Sequence, residues 1–121
     1  ELRRADAFDD MTALADEGRT FGLVILDPPK LQPATADPKK AEAAYLRLQA
    51  LAMRLVEPGG LLAAFSCSGA MSRGRFDQVL RQAARDRPCR ILERLGQPAD
   101  HPIAMTYHKS EYLIGLILEL G

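Results

Sequence analysis

Most of what would place this chain in a specialised class is missing from it. No apolar run approaches the roughly 18 residues of a membrane span, so no membrane segment is expected. There is no surplus of one charge: 16 Lys and Arg balance 16 Asp and Glu. A neutral chain has no broad electrostatic footprint for nucleic acid, and contact with RNA or DNA would need a local patch or another domain. Cysteine is scarce. Cys67 and Cys89 make neither a zinc site nor a disulfide framework. His101 has no second ligand at metal-binding spacing, so no metal is expected. The opening Glu1-Leu2-Arg3-Arg4 has no apolar signal core, which makes a reduced, cytoplasmic setting the expectation. An initiator Met is missing, and a periodic pattern starts almost at once, so the chain reads as a piece of something longer. Its 121 residues make at most one domain, and 47% hydrophobic content is enough for a real core.

What is present is organised around Phe21-Gly22-Leu23-Val24-Ile25-Leu26-Asp27-Pro28-Pro29-Lys30. The apolar run predicts a strand buried on both faces. Pro28 and Pro29 lack amide donors and fix φ, so neither helix nor ladder can continue past Asp27. A rigid platform then holds a carboxylate and an ammonium at the lip of a sheet.

The rest of the chain alternates. Leu2–Ala5 reads as a strand remnant and Asp6–Glu17 as a helix closed by Gly18. After the Leu31–Asp37 loop, a second helix starts near Asp37 with Pro38 in its first turn. Glu57-Pro58-Gly59-Gly60 is a turn signal, and Leu61–Ser66 a second buried strand. Cys67-Ser68-Gly69 is a small-residue loop. A third helix, capped near Ser72, carries Phe76, Val79, Leu80 and Ala83 and is broken by Pro88. Cys89–Leu95 alternates as a strand, Gly96–Glu111 is a long polar loop, and Tyr112–Leu120 is a closing strand. Strands alternating with helices predict an α/β fold with a mostly parallel sheet. The last strand, reached without a helix, is expected to be antiparallel.

Ligands of open α/β sheets bind beyond the carboxyl ends of the strands. Asp27 and Cys67 lie at two such ends. If their strands pair, about 4.8 Å apart, the two residues face one cleft. The loop after Leu95 brings Asp100 and His101 to the same edge. The residues alone leave each role open. Cys67 is either a small buried residue in a tight turn or a nucleophile. Asp27 is a cap for the following loop or a carboxylate of the cleft. Lys30 is a solvated charge or a ligand contact. His101 bonds its own loop or borders the cleft. Cys89 is expected in the core. Arg81, Arg85, Arg87 and Arg90 read as a solvated helix face or a phosphate contact.

Taken together in their order, Asp27-Pro28-Pro29-Lys30, Gly59-Gly60, Phe65-Ser66-Cys67-Ser68-Gly69, Ala99-Asp100-His101-Pro102, Tyr107 and Tyr112-Leu113 resemble a known family. The chain resembles the class I S-adenosylmethionine-dependent methyltransferases over roughly residues 2–120. It is most similar to the ribosomal RNA large-subunit cytosine-carbon-5 group that carries a PUA-type RNA-binding domain. The resemblance implies the C-terminal portion of a Rossmann-like methyltransferase sheet, with residues 1–121 forming a single partial domain. It puts the group's glycine-rich cofactor loop, acidic ribose-binding strand end and RNA-binding domain upstream of Glu1, so the chain by itself is expected to be inactive.

The resemblance also implies roles. Cys67 corresponds to the nucleophile, and Asp27 to a second catalytic group that binds or protonates the ring nitrogen. Asp6 and Phe8, with Asp27 and Pro28, correspond to cofactor contacts; Pro29, Lys30 and His101 fall on the substrate side. Carbon 5 of cytosine is a poor nucleophile until a thiolate adds at carbon 6, after which carbon 5 can attack the sulfonium methyl. A base then removes the carbon-5 proton and the thiol leaves. Lys30 could orient phosphate or favour the thiolate. The alternatives are amino-group methylation, whose enzymes usually place an aromatic where this chain has Lys30, and a non-catalytic scaffold. RNA is the implied partner. With the sheet's first strands upstream, the edge of Phe21–Leu26 is expected to be bare, with Glu1–Ala5 displaced, and to pair two copies as a homodimer or swapped assembly.

Overall fold

The computed structural model describes residues 1–31 and 37–121. The predicted loop over Leu31–Asp37 therefore falls largely outside the described residues. Helix α1 spans Ala7–Asp16, with Asp6 as its N-cap: the carboxylate accepts from the Phe8 and Asp9 amides. Gly18, at φ +71, ends it in the left-handed region that suits glycine. Strand β1 is Phe21–Leu26. Helix α2, Pro38–Arg54, is capped by Asp37. Strand β2 is Val56–Ser66, helix α3 is Arg73–Ala83 under a Ser72 cap, and strand β3 is Cys89–Leu95. A short 3-10 turn, His108–Ser110, precedes strand β4, Ile114–Leu120.

The four strands lie in the order β1-β2-β4-β3. β1 and β2 are parallel, and α2 supplies the crossover that a parallel pair needs. β4 is antiparallel to both of its neighbours. The expectation of a mostly parallel sheet holds for strand directions and fails for pairing. β1, β2 and β3 point one way, but β4 inserts between β2 and β3, so only one neighbouring pair is parallel. The inserted strand is the buried one: Leu116, Leu118 and Leu120 are all sealed.

Alternation along the strands sends one set of side chains to the helices. Leu26, Leu62, Ala64, Leu116, Leu118 and Leu120 join Tyr45, Leu48, Ala52 and Met53 of α2 and Phe76, Val79 and Leu80 of α3 in one core, with Phe8 and Met11 of α1 against it. All three helices thus cover the same face. Leu23 and Ile25 point to the other face and are 53% and 65% exposed. β1 is therefore not buried on both faces as its apolar run predicts; it is an edge strand with one open face.

Five other expectations are corrected. Leu2–Ala5 forms no strand, and Leu2 is fully exposed. The Glu57–Gly60 turn lies inside β2 rather than before it. Val56 pairs with Phe21 and Leu61 with Leu23, so the turn bulges out opposite Gly22. Gly59 there has φ +78. α3 ends at Ala83, ahead of Pro88, and the closing strand begins at Ile114 rather than Tyr112. Cys89 is exposed on an edge strand, not core. Its thiol lines a groove between α3 and β3, and partial burial there pushes it up, opposed by Arg87.

α3 is tied to the far edge by charge. Arg94 of β3 donates to both carboxylate oxygens of Asp77, at 3.0 and 2.8 Å. The Arg94 guanidinium holds the Asp77 carboxyl below its ordinary value of 3.8. A depressed folded pKa contributes stability that is complete above the unfolded value and is lost as pH falls through the folded one. Asp77→Asn is accordingly expected to cost about 1 kcal/mol at neutral pH. The deficit should shrink as pH drops below 3.8, as read from urea midpoints of both proteins across an acid series.

Candidate active site

Because β1, β2 and β3 run in one direction, their carboxyl ends share one edge of the sheet, and β4 starts from that edge. Four chain segments therefore converge. Asp27, Pro28 and Pro29 after β1, Cys67 after β2, Pro98 and His101 after β3, and Tyr112 and Leu113 before β4 line one open cleft of about 470 Å³. β1 stops at Leu26 opposite Ala64, while β2 runs on to Ser66 before releasing Cys67 over the proline platform. The Cys67 Sγ lies 3.8 Å from the Pro28 carbonyl, a weak thiol contact. Pro28 is buried and holds the platform down; Asp27 and Pro29 are exposed. Cys67 itself is half-buried. Behind it, the Ser68 amide donates to the buried Ser66 hydroxyl at 3.4 Å, which tightens the small-residue loop.

The far wall is held by a residue that the sequence does not advertise. Gln97 donates through Nε2 to the His101 carbonyl at 2.8 Å, and its Oε1 accepts from the Tyr112 amide at 2.7 Å and the Leu113 amide at 3.4 Å. One side chain thus pins both ends of the long loop where they border the cleft. Its partners lie up to 16 residues away, so no local pattern marks it. The His101 Nδ1 stands 3.3 Å from the Asp100 carboxylate.

Of the residues expected at the site, Asp27, Pro28, Pro29, Cys67 and His101 are brought together. Lys30 is exposed and does not line the cleft. Asp6 and Phe8 are also elsewhere. Phe8 packs against the core with the Arg47 guanidinium 5.2 Å from its ring centroid. Asp6 caps α1 through Oδ1. Its Oδ2 makes no hydrogen bond among the described residues and can accept from an amine. The arginine cluster is mostly engaged in the fold. Arg87 donates to the Gly121 carbonyl at 2.8 Å and to that of Met53, Arg90 pairs with Glu119, and Arg81 stands 3.8 Å from Asp77. Among the described residues no cluster of His, Cys, Asp and Glu could hold a metal, and no helix is long and apolar enough to cross a membrane.

A thiol, a carboxylate and an imidazole around one cleft at the carboxyl edge are groups that nucleophilic and acid–base chemistry can use. Comparison with known proteins narrows this. Over 115 residues the chain is 40% identical to a protein of Shewanella amazonensis, covering 93% of this chain and 29% of that one. The chain is similar to ribosomal RNA large subunit methyltransferase I. The counterpart of that enzyme in Pseudoalteromonas atlantica is 38% identical over 122 residues, covering 99% of this chain and 31% of its own length. The chain thus spans less than a third of these curated methyltransferases. No family model matches it. Among solved structures, SMU.776, described as a candidate methyltransferase and crystallised with SAH, superposes with a TM-score of 0.78 at 19% identity, over 95% of this chain and 30% of that one. A methyltransferase homologue from Pyrococcus horikoshii gives 0.68 at 16%, over 98% and 44%. The fold is one that these methyltransferases share.

Proposed function

We propose that this chain is the C-terminal part of the catalytic domain of an S-adenosylmethionine-dependent methyltransferase that forms 5-methylcytosine in ribosomal RNA. The observation that carries the reading is the meeting of Cys67 with Asp27-Pro28-Pro29 in one cleft. The similarity to ribosomal RNA large subunit methyltransferase I supports the RNA substrate.

In this reading Cys67 is the nucleophile. Its thiolate adds to carbon 6 of cytosine, which raises electron density at carbon 5. Asp27, exposed at the lip of the cleft, binds or protonates the ring nitrogen as charge develops. Pro29 and His101 flank the base, and Lys30, outside the cleft lining, reaches phosphate. The cofactor residues are Asp6, Phe8, Asp27 and Pro28. They fit an adenosyl group in one respect: the Oδ2 of Asp6, which makes no hydrogen bond among the described residues, can accept from an adenine amine. S-adenosylmethionine, when bound, supplies the methyl group.

The test uses a full-length chimera in which this chain replaces the matching segment of the Shewanella amazonensis relative. Ribosomal RNA carrying 5-fluorocytidine at the target should leave an RNA–protein adduct that survives denaturation, with mass spectrometry locating it at Cys67. Methyl transfer without an adduct, onto an exocyclic amine, would move the reading to amino-group methylation. No bound cofactor and no transfer would leave a scaffold.

For the isolated chain, we infer pairing of two copies through β1. That strand is outermost in the sheet and exposes Leu23 and Ile25, and a bare apolar edge is a template for another strand. Light scattering at micromolar concentrations should report a dimer, and Ile25→Lys should return it to monomer. A monomeric parent chain would end this reading.

A further inference from the structure

The chemistry above needs a base for the carbon-5 proton, and none has been assigned. We infer that His101 is that base, a conclusion resting on the cysteine-nucleophile reading. The cleft offers few acceptors. Cys67 is engaged with carbon 6. Asp27 is assigned to the ring nitrogen, and Lys30 does not line the cleft. Tyr112 is the other titratable lining residue, and an imidazole is the better proton acceptor near neutral pH.

His101 is also placed for the task. Its backbone is fixed twice: the amide donates to the Pro98 carbonyl at 3.0 Å, and the carbonyl accepts from Gln97. The Asp100 carboxylate stands 3.3 Å from Nδ1, which leaves Nε2 as the ring nitrogen open to the substrate. The imidazole is 56% exposed, so it can pass its proton to water. Gln97 acts as the positioning residue, because it ties His101 to Tyr112 and Leu113 across the loop.

The step balances. Cys67, as its thiolate, bonds through sulfur to carbon 6 and the ring electrons move toward carbon 5, which takes a proton from solvent or, with S-adenosylmethionine bound, would take the methyl group as the sulfonium's S–C pair leaves with its sulfur. Nε2 then removes the carbon-5 proton. The electron pair of that C–H bond restores the carbon 5–carbon 6 double bond, and the C–S pair returns to sulfur.

Exchange of the carbon-5 hydrogen with solvent follows from the same steps and needs no cofactor. The full-length chimera would be incubated with a large-subunit ribosomal RNA transcript in deuterium oxide, and deuterium at cytosine carbon 5 measured by mass spectrometry. His101→Gln is expected to lower exchange about 100-fold, the scale of one general base, while adduct formation at Cys67 persists and the adduct accumulates. His101→Gly should regain exchange on addition of free imidazole, which a merely structural role would not allow. Exchange at the parental rate in His101→Gln overturns the assignment and leaves the nucleophile reading standing. Absence of both exchange and adduct in the unsubstituted chimera overturns the nucleophile reading and the base with it.

Discussion

Replacing Cys67 by alanine in the full-length chimera is expected to lower methyl transfer on the order of 10⁴-fold or more. That is the scale of deleting a covalent nucleophile whose neighbours have no alternative route. The loss will not come from unfolding. Cys67 is half-buried, belongs to no part of the core cluster, and its recorded contact is the 3.8 Å approach to the Pro28 carbonyl. Truncating it removes one sulfur from the wall of an open cleft, so the stability change should stay within about 0.5 kcal/mol, typical of surface positions. Serine should be nearly as inactive, because a hydroxyl ionises far less readily than a thiol. The measurement is single-turnover transfer of labelled methyl to ribosomal RNA, with the denaturation midpoint recorded on the same preparation. Full turnover by Cys67→Ala would remove the nucleophile and with it the carbon-5 chemistry.

Phe76→Ala is expected to have the largest effect on the fold. Phe76 is completely buried in the first turn of α3 and belongs to the cluster that joins α2, α3 and the sheet. Ala in its place leaves a cavity that rigid neighbours fill only in part, at a cost of about 3–5 kcal/mol. Domains of this size are stable by only about 5–15 kcal/mol, so most of the margin would be lost. With a urea dependence of about 1–3 kcal/mol per molar, the midpoint should fall by roughly 2 M. Leu92→Ala on β3 is the matched control: it also truncates an apolar side chain, but one that is 54% exposed and at the opposite edge of the sheet from β1. It should move the midpoint little. Equal effects from the two substitutions would contradict the one-sided core.

Much of the local structure was legible because its signals are local. The bounds of β1 follow from a hydrophobic run closed by Asp27-Pro28, and those of β3 from an alternating run closed by Gly96. The helix starts follow from Asp6, Asp37 and Ser72, whose oxygens satisfy amides two or three residues on. The cleft was legible in outline for a related reason: strands pointing one way bring their carboxyl ends to one edge. Lys30 did not follow, because a position in sequence beside Asp27 does not decide which way a flexible side chain leaves an extended loop.

The apolar content of Phe21–Leu26 says that the strand suits burial on two faces, but not whether anything covers the second. That depends on where three helices of other segments come to rest, and in this chain they all rest on one side. Likewise Pro58-Gly59-Gly60 specifies a bend but not its place inside a strand, which is set by the pairing of Val56 with Phe21. Cys89 has the composition of a core position and is exposed because the returning β4 takes the centre of the sheet and leaves β3 at its edge. Gln97 has the plainest history of all, a loop glutamine whose amide reaches amides 15 and 16 residues away. The sequence by itself determined the elements, their caps and the edge on which Asp27 and Cys67 must meet, since each depends on neighbours within a few residues or on strand direction. Only the tertiary structure decided strand order, the covered face and the Gln97 clamp that fixes the far wall, because those are set by contacts between segments distant along the chain.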